Sequence, residues 1–338
     1  MTAPAAAARP IEAPLAYLSE AVAAAAAVRT AERLGALARL DGGRVTAAEL
    51  AVACAISERG ARRLLAALAG LGLAESVGGG AWRAALPDLA GVASMPRMWA
   101  HLDGALREGR PLVRGDTPDG AAAFYPGAVG YLGTMLAAAA EQAASLLPAA
   151  ARVLDAGAGA APWSLAVAAR DPACLVTAVD LPAVVPATRR AVTDADRERQ
   201  FRFLAGDLFG VELGRGAYDL AIAGNLCHLF DQAANRRLLG RLYDALRPGG
   251  ALAVVDVMPD EQPTRRWVAL YELGLLLRTA SGRVHPLAAY LGWLHDAGFE
   301  PPERHCLVDE AQAMLLVARK PAGGHDEPSQ RTAGSAGC

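Results

Sequence analysis

The chain of 338 residues has few cysteines, no marked excess of either charge and no long apolar run. Its five cysteines are scattered, odd in number and without a Cys-x-x-Cys pair. This argues against a disulfide framework or a zinc site and favours reduced thiols in the cytoplasm. A net charge of −2 offers no electrostatic attraction to nucleic acid. The apolar segment 21–28 is too short to cross a membrane, and the N-terminus shows no signal-peptide pattern. We therefore expect a cytoplasmic protein with no nucleic-acid and no membrane partner.

Large apolar side chains are scarcer than the 53% hydrophobic share suggests, because much of that share is alanine. The length still allows about two domains, each with a packed core. Shifts in composition and pattern predict five segments. They are a flexible N-terminus over 1–12, a first domain over 13–95, a helical connector over 96–147, a second domain over 148–320 and a disordered tail over 321–338.

The first domain has the pattern of a winged helix. Thr46 and Glu49 form a capping box for one helix, and Ser57 caps a second helix that runs to about residue 70. Three glycines at 78–80 then mark the tip of a hairpin. A DNA-binding regulator is the minor alternative, since only a few arginines of the second helix support it and the same helix carries leucines to a core.

In the second domain, apolar strands alternate with helices. The strands are predicted at 152–155, 175–180, 201–205, 218–223 and 251–257. The clearest helix covers 232–246 and is stopped by the Pro-Gly-Gly that follows. A late helix over 291–297 precedes an edge strand at 314–319. Such alternation predicts an α/β fold, a Rossmann-like, doubly wound and mostly parallel sheet with helices on both faces.

The turn after the first of these strands is the most informative segment. Asp155 is followed by Gly157 and Gly159, and Pro162 suits the first turn of the next helix. Glycines at a strand-to-helix turn let the backbone approach a ligand closely. A dinucleotide-binding loop would need another glycine at Pro162. The turn resembles motif I of the class I S-adenosylmethionine (SAM) methyltransferases, with Ala161 in place of that motif's third glycine.

Two further acids, Asp180 and Asp207, follow at the tips of the next two strands. The carboxyl ends of parallel strands border one crevice, where doubly wound sheets bind their ligands. We expect Asp155 and the turn amides to face the methionyl part of SAM. Asp180 would bind the ribose hydroxyls, and Asp207 would accept a hydrogen bond from the adenine amine. Leu181 and Leu208 would enclose the adenine ring.

The fourth strand tip, at 224–231, points to a narrower family. The chain resembles the SAM-dependent O-methyltransferases with an N-terminal winged-helix dimerisation domain, found in plant phenylpropanoid and bacterial polyketide pathways. The likeness covers residues 12–320 and includes the following segments: Leu106-Arg107-x-Gly109-Arg110-Pro111, Asp180-Leu181-Pro182, Gly206-Asp207-Leu208-Phe209, Arg247-Pro248-Gly249-Gly250 and Ala297-Gly298-Phe299.

This resemblance implies SAM as cofactor, a homodimer and a small-molecule acceptor of secondary metabolism. It also implies that His228 is the general base and that Asp256 orients it; Asn225, at the same tip, is assigned to the cofactor site. A histidine suits the reaction because the sulfonium methyl is already an activated electrophile. The protein need only align the nucleophile and remove its proton. We expect methylation on oxygen of an apolar or aromatic acceptor.

The sequence departs from that family next to the histidine. Leu229 and Phe230 replace an Asp-Trp pair, and Val284 stands where the family has a second supporting carboxylate. His228 is then either a weaker base or a hydrogen-bond donor to the substrate. Methylation of carbon or nitrogen, and a SAM-dependent cyclisation or elimination without methyl transfer, remain alternatives on the same fold.

Apolar and aromatic residues outside the sheet are candidates for the acceptor pocket. They are Trp99, Phe124, Tyr125, Met135, Trp163, Trp267 and Tyr271. No metal site is expected, because the later histidines lack paired spacing with a carboxylate. Most of these histidines (His285, His295 and His305) are expected on surfaces or at helix caps.

Overall fold

A mostly parallel sheet forms the scaffold of the C-terminal part of the chain. The computed structural model describes residues 14–86, 89, 92, 97–111, 114–125, 128–259, 266–307 and 313–322. The predictions for 1–12 and for 323–338 lie outside these residues. Among the described helices, none combines the length and the apolar character needed to cross a membrane.

Helices and a small antiparallel sheet make up the N-terminal region. The elements are α1 (Pro14–Arg33), α2 (Ala36–Asp41), β1 (Val45–Thr46), α3 (Ala47–Ala53), α4 (Glu58–Gly70), β2 (Ala74–Ser76) and β3 (Ala81–Ala84). The predicted capping box is present, since the Thr46 hydroxyl accepts from Glu49 N–H while the Glu49 carboxylate accepts from Thr46 N–H. Ser57 caps α4, and 78–80 form the hairpin tip. The predicted order of helix, turn, helix and hairpin is therefore confirmed.

Helix α1 has an apolar stripe that the other described residues leave exposed. Leu15, Leu18 and Val22 are 80%, 54% and 69% exposed. Their spacing of three and four residues places them on one face of the helix. Further along α1, Val28 and Ala31 are buried in the core that α2, α3 and α4 share.

The connector consists of α5 (Leu102–Glu108), α6 (Pro118–Phe124) and α7 (Val129–Leu146). Helix α7 ends just before Pro148, as predicted. Alanines of α7 are buried against the first helix of the second domain and the sheet behind it. Small side chains allow this close approach, which brings the connector to the edge of the sheet where the strands end.

The large sheet contains, among the described residues, β4 (Arg152–Ala156), β5 (Leu175–Asp180), β6 (Phe201–Ala205), β7 (Tyr218–Gly224), β8 (Leu246–Asp256), β9 (Glu303–Cys306) and β10 (Met314–Arg319). Its strand order is β6-β5-β4-β7-β8-β10-β9. Strands β4 to β8 run parallel, and β10 is antiparallel to both of its neighbours. The order reverses between β4 and β7, and a doubly wound sheet binds its ligand at such a point.

Helices cover both faces of this sheet. They are α8 (Pro162–Arg170), α9 (Val185–Asp194), α10 (Gln232–Ala245), α11 (Arg266–Arg278) and α12 (Leu287–Asp296). Alternate residues of one strand enter opposite cores: Val153 packs on one face and Leu154 on the other, and both are fully buried. The predicted α/β fold is confirmed.

Two predictions about the end of the chain are wrong. Strand 314–319 is not at the edge, because the short strand β9 pairs with its outer side. The helix before Pro248-Gly249-Gly250 ends at Ala245, next to its predicted end, but the strand predicted from 251 already begins at Leu246. The ladder shifts there, with Leu246 opposite Tyr218 and Ala251 opposite Leu220, so the glycines bulge out of the strand.

Candidate active site

A cleft of about 1020 Å³, its open mouth included, lies beyond the carboxyl ends of β4, β5, β6 and β7. It contains most of the predicted cofactor residues and two of the predicted pocket aromatics: Gly157, Gly159, Asp180, Leu181, Asp207, Leu208, Asn225, Tyr125 and Trp163. The connector supplies the opposite wall through 115–118 and the first half of α7. The strand tips therefore converge as the topology predicts.

Strand β5 holds the glycine turn between β4 and α8 in place. Gly157 and Gly159 have φ values of 70° and 56°, which glycine adopts without steric cost. The N–H groups of Gly157 and Ala158 donate to the Val179 carbonyl at 2.9 and 3.1 Å. Gly159 N–H donates to Asp180 Oδ2 at 2.7 Å. The turn is preorganised, and these amides are engaged within the protein rather than turned to a ligand.

Asp155 does not line the cleft, which corrects the expectation that it faces the methionyl group. Its side chain is 1% exposed and accepts a hydrogen bond from the Ser164 hydroxyl on α8. Burial raises the pKa of Asp155 to about 7, while the bond from Ser164 lowers it and the charge of Asp180 raises it further. Asp155 thus ties the end of β4 to α8 beneath the turn.

Asp180 and Asp207 both border the cleft, in different surroundings. Asp180 is half-buried, and its second oxygen accepts Leu181 N–H at 2.7 Å. Burial raises the pKa of Asp180, and the hydrogen bonds from the two backbone amides oppose that rise. Asp207 is exposed and accepts Phe209 N–H at 3.0 Å. Leu208 beside it is buried and, with Leu181, gives this end of the cleft an apolar wall.

Asn225 turns the chain at the end of β7. It has a φ of 53°, a left-handed conformation that asparagine tolerates, and its N–H donates to the Val255 carbonyl at 2.7 Å. Its side-chain Oδ1 is buried and has no hydrogen-bond partner among the described residues. Such an acceptor, in a residue that lines the cleft, suits a donor group of a bound ligand.

His228, on the turn after β7, and Asp256, at the end of β8, form a buried pair and are 3% and 0% exposed. His228 Nδ1 lies 2.7 Å from Asp256 Oδ1, and His228 N–H donates to Asp256 Oδ2 at 3.1 Å. Burial raises the pKa of Asp256, but the neighbouring imidazole and the hydrogen bonds from His228 and Val257 outweigh it and lower the pKa below its ordinary value. Asp256 is therefore a carboxylate that accepts a proton-bearing Nδ1, which leaves Nε2 as the basic nitrogen.

The remaining aromatic candidates divide into two groups. Trp163 fits closely under Gly224, where a Cβ would lie 2.3 Å from the indole. On α11, the rings of Trp267 and Tyr271 stack with their centroids 4.9 Å apart. Trp99 packs near the same helix, and its ring lies 3.6 Å from the position that a Cβ on Gly274 would take. None of these α11 neighbours lines the cleft.

Phe124 and Met135 do not line the cleft either, so they do not form its wall as predicted. Phe124 packs edge-to-face on Tyr125 at 5.2 Å, while Met135 is 51% exposed.

Of the three later histidines, His295 is exposed and His305 is half-buried, whereas His285 is fully buried and is the exception to the expected surface or capping position. Its Nε2 lies 2.9 Å from the Phe230 carbonyl, and its ring packs edge-on against Trp293 at 4.8 Å. Burial lowers the pKa of His285. Sequence spacing could not reveal the burial of His285, because its partners lie on separate elements of the fold.

No three described His, Cys, Asp or Glu side chains form a cluster that could hold a metal.

The family assignment follows from comparison with known proteins. A family model for an O-methyltransferase domain matches residues 129–300. The tetracenomycin polyketide synthesis 8-O-methyl transferase TcmO of Streptomyces glaucescens is 31% identical over 304 residues, which is 81% of this chain and 86% of that protein. This chain belongs to the O-methyltransferase family. It is a SAM-dependent methyltransferase that acts on a small acceptor, with SAM as its cofactor.

Solved structures of other methyltransferases share the fold. Human N-acetylserotonin methyltransferase in complex with SAM aligns with a TM-score of 0.72 at 23% identity, over 94% of this chain and 99% of that one. An O-methyltransferase family protein of Burkholderia thailandensis aligns with a TM-score of 0.70 at 22% identity, over 94% and 100%.

The cleft of this methyltransferase fits SAM in three respects. It offers carboxylates at two successive strand tips, where hydroxyl and amine donors can bind. It has the unpartnered acceptor of Asn225. Two leucines provide an apolar slot beside Asp207.

Proposed function

We propose that His228, oriented by Asp256, removes the proton from a hydroxyl group of the acceptor in this methyltransferase. The observation that carries the proposal is the 2.7 Å contact between His228 Nδ1 and Asp256 Oδ1. A carboxylate on Nδ1 fixes the tautomer and stabilises the imidazolium formed when Nε2 takes a proton. Asp256 is itself held by the N–H groups of His228 and Val257.

The cofactor residues follow from the lining of the cleft. When bound, SAM supplies a sulfonium methyl that needs no further activation. Asp180 would accept from the ribose hydroxyls, Asp207 from the adenine amine, and Asn225 from a donor of the cofactor. Leu181 and Leu208 would lie on the faces of the adenine. Gly157 and Gly159 would admit the cofactor close to the backbone, and Asp155 would act indirectly by holding α8.

An apolar acceptor is supported by the side chains beside the base. Leu229 and Phe230 follow His228 directly and both line the cleft, as do Leu132 and Leu136 of α7. Apolar walls with a few placed polar groups are typical of small-molecule sites. Tyr125 adds a phenol, and burial raises its pKa to about 12, so this group is a neutral hydrogen-bonding partner.

We further propose that 13–95 is a dimerisation domain, that 96–147 contributes to the acceptor site and that 148–320 is catalytic. The exposed stripe of Leu15, Leu18 and Val22 supports self-association, because such a stripe on one helix face is stabilised by burial against a second copy. A cytoplasmic location is proposed from the cysteines alone, since Cys54, Cys174 and Cys227 are buried free thiols.

Incubation with methyl-labelled SAM tests the function directly. A panel of naphthols, hydroxynaphthoic acids, amines and β-keto acids separates oxygen, nitrogen and carbon acceptors. Transfer of label to a hydroxyl supports the proposal. Transfer only to nitrogen or carbon, or tighter binding of NADH than of SAM, would refute the proposed methylation of a hydroxyl group.

A further inference from the structure

The basic nitrogen of His228 faces a phenol rather than the cleft. Tyr271 Oη lies 2.9 Å from His228 Nε2, and the two rings meet edge-on at 5.3 Å. With Asp256 on Nδ1, the three side chains form one continuous hydrogen-bonded chain. His228 and Asp256 are almost completely buried, whereas Tyr271 is half-buried. Tyr271 is therefore the outermost member of the chain.

This contact limits what His228 can do alone. A neutral imidazole with a proton on Nδ1 has a single lone pair, on Nε2, and the Tyr271 hydroxyl donates to it. Burial raises the pKa of Tyr271 above its ordinary value, so the phenol keeps its proton and acts as the donor. An acceptor hydroxyl must then either displace the phenol or pass its proton through it.

The surroundings of Tyr271 oppose displacement. Its ring is stacked on Trp267 at 4.9 Å with an angle of 11° between the planes. It also packs against the cluster of Val257, Leu275 and Val284, and the Arg278 guanidinium carbon lies 5.0 Å from its centroid. Moving the ring would forfeit these contacts, so the hydroxyl is held on Nε2.

Neither His228 nor Tyr271 lines the cleft in this structure, and Tyr271 is the more exposed of the two. We propose that Tyr271 is a catalytic proton relay that links a bound acceptor to the buried base, so that the acceptor hydroxyl binds the Tyr271 oxygen instead of His228. This inference rests on the proposed role of His228 as base. The acceptor proton passes to Tyr271 Oη while the Tyr271 proton passes to His228 Nε2, and the phenol stays neutral. The acceptor oxygen bonds to the methyl carbon, and the carbon–sulfur bond breaks with its electron pair left on sulfur. The imidazolium is paired with the Asp256 carboxylate.

Removal of one oxygen tests the relay. Tyr271→Phe keeps the stacked ring, so SAM affinity by calorimetry and the thermal midpoint are expected to stay at the wild-type values. The single-turnover rate with labelled SAM and a naphthol substrate found in the panel should fall ~10²-fold or more, the range of general acid–base effects. The double variant His228→Ala/Tyr271→Phe should be no slower than the slower of the two single variants, because groups that act as one unit are not additive.

The control variant is Tyr218→Phe, which removes a phenol oxygen at the opposite end of the sheet, where β7 begins. It should leave the single-turnover rate unchanged. A Tyr271→Phe variant that is as fast as wild type, or faster, would show that the hydroxyl only covers the base, and would overturn the relay. A wild-type protein that transfers no methyl group would instead overturn the proposed function.

A second measurement needs no acceptor. In ¹⁵N spectra of histidine-labelled protein, Tyr271→Phe should move the Nε2 resonance of His228 downfield, because its hydrogen bond is lost, and leave Nδ1 in place. The same spectra of Tyr218→Phe should match wild type. An Nε2 resonance that does not respond to Tyr271→Phe would show that the phenol is not on the base, and would overturn the relay whatever the acceptor is.

Discussion

Gly282 lies directly against the carbonyl group of His228. A Cβ at Gly282 would stand 2.7 Å from the His228 oxygen and 2.5 Å from the Thr279 hydroxyl oxygen. The next residue, Arg283, donates its N–H to the same carbonyl at 2.9 Å. The absence of a side chain at Gly282 therefore sets how closely the segment after α11 approaches the turn that carries the base.

Gly282→Ala should lower both the thermal midpoint and the turnover. The new methyl group forces a shift of the His228 turn, and overpacking of this kind costs ~1–3 kcal/mol. The control is Gly292→Ala on α12, where a Cβ meets nothing within 4 Å. That variant should be as stable as wild type or gain ~0.5–1 kcal/mol from helix propensity. Equal midpoints and rates for the two variants would contradict the role given to Gly282.

His228→Ala should leave SAM affinity intact and lower turnover by ~10²–10⁴, the range for general base catalysis. Asp256→Asn should cause a smaller loss, because it disturbs the tautomer without deleting the base. Calorimetry and single-turnover rates measure the two effects separately. Should His228→Ala retain most of its turnover, the reaction needs no protein base, and a carbon or pre-ionised acceptor becomes the better hypothesis.

Asp180→Ala should weaken SAM binding by ~1–3 kcal/mol, because hydrogen-bonding groups on the cofactor and on Gly159 lose their partner. Isothermal calorimetry gives the difference. Asp194→Ala, which removes an exposed carboxylate from the end of α9, is the control and should bind SAM like wild type. An unchanged SAM affinity in Asp180→Ala would refute the proposal that Asp180 binds the ribose hydroxyls.

Asp155 should make stability fall as pH rises from about 4 to 7. Its pKa is about 7 in the folded chain and ~3.9 in an unfolded one. Between these values the folded state binds more protons, so the free energy of unfolding decreases with pH. Asp155→Asn should flatten this slope, measured as thermal midpoints across the range. Ser164→Ala removes a hydrogen bond that lowers this pKa, so it should extend the decline to higher pH. Identical slopes in wild type and Asp155→Asn would refute the assignment.

Self-association through α1 predicts a dimer by light scattering at micromolar concentration. A stable interface of this kind buries more than ~2,000 Å². Replacement of Leu15, Leu18 and Val22 by serine should yield monomers, while serine at Val52 of α3, which is more exposed than any of the three, should not. A wild-type monomer would exclude the proposed dimer. Salt-sensitive, nanomolar binding to a DNA duplex would favour the regulator instead.

Local patterns were enough to predict most of the scaffold. Helix caps such as Thr46 and Ser57, and the glycine turn after β4, depend on neighbours within a few residues, so their signals are complete in the sequence. The positions of Asp180 and Asp207 at one edge then follow from the topology of a parallel sheet. The inward turn of Asp155 onto Ser164 did not follow, because a strand-end carboxylate can point to either side of the turn.

Long-range contacts could not be predicted in the same way. The residue type alone makes Tyr271 a pocket candidate. Its hydrogen-bond partner, His228, lies 43 residues earlier in the chain, so no local pattern predicts the contact. Asp116 lines the cleft and accepts Ala280 N–H at 3.0 Å across 164 residues, and no local pattern marks it. Strand β9 is short and largely exposed, so it has no alternation to detect.

The strand order divides the cleft along the chain. The groups proposed to hold the methyl donor come mainly from β4, β5 and β6, whereas His228, Asp256 and Tyr271 all follow β7 in the sequence. The boundary in space is the single junction between β4 and β7. Donor recognition and proton removal are thus encoded in consecutive stretches of the gene. An exchange of everything after β7 with a related enzyme would replace the groups proposed to remove the proton as one block. It would leave most of the donor site, and the connector's part of the acceptor site, to the original sequence.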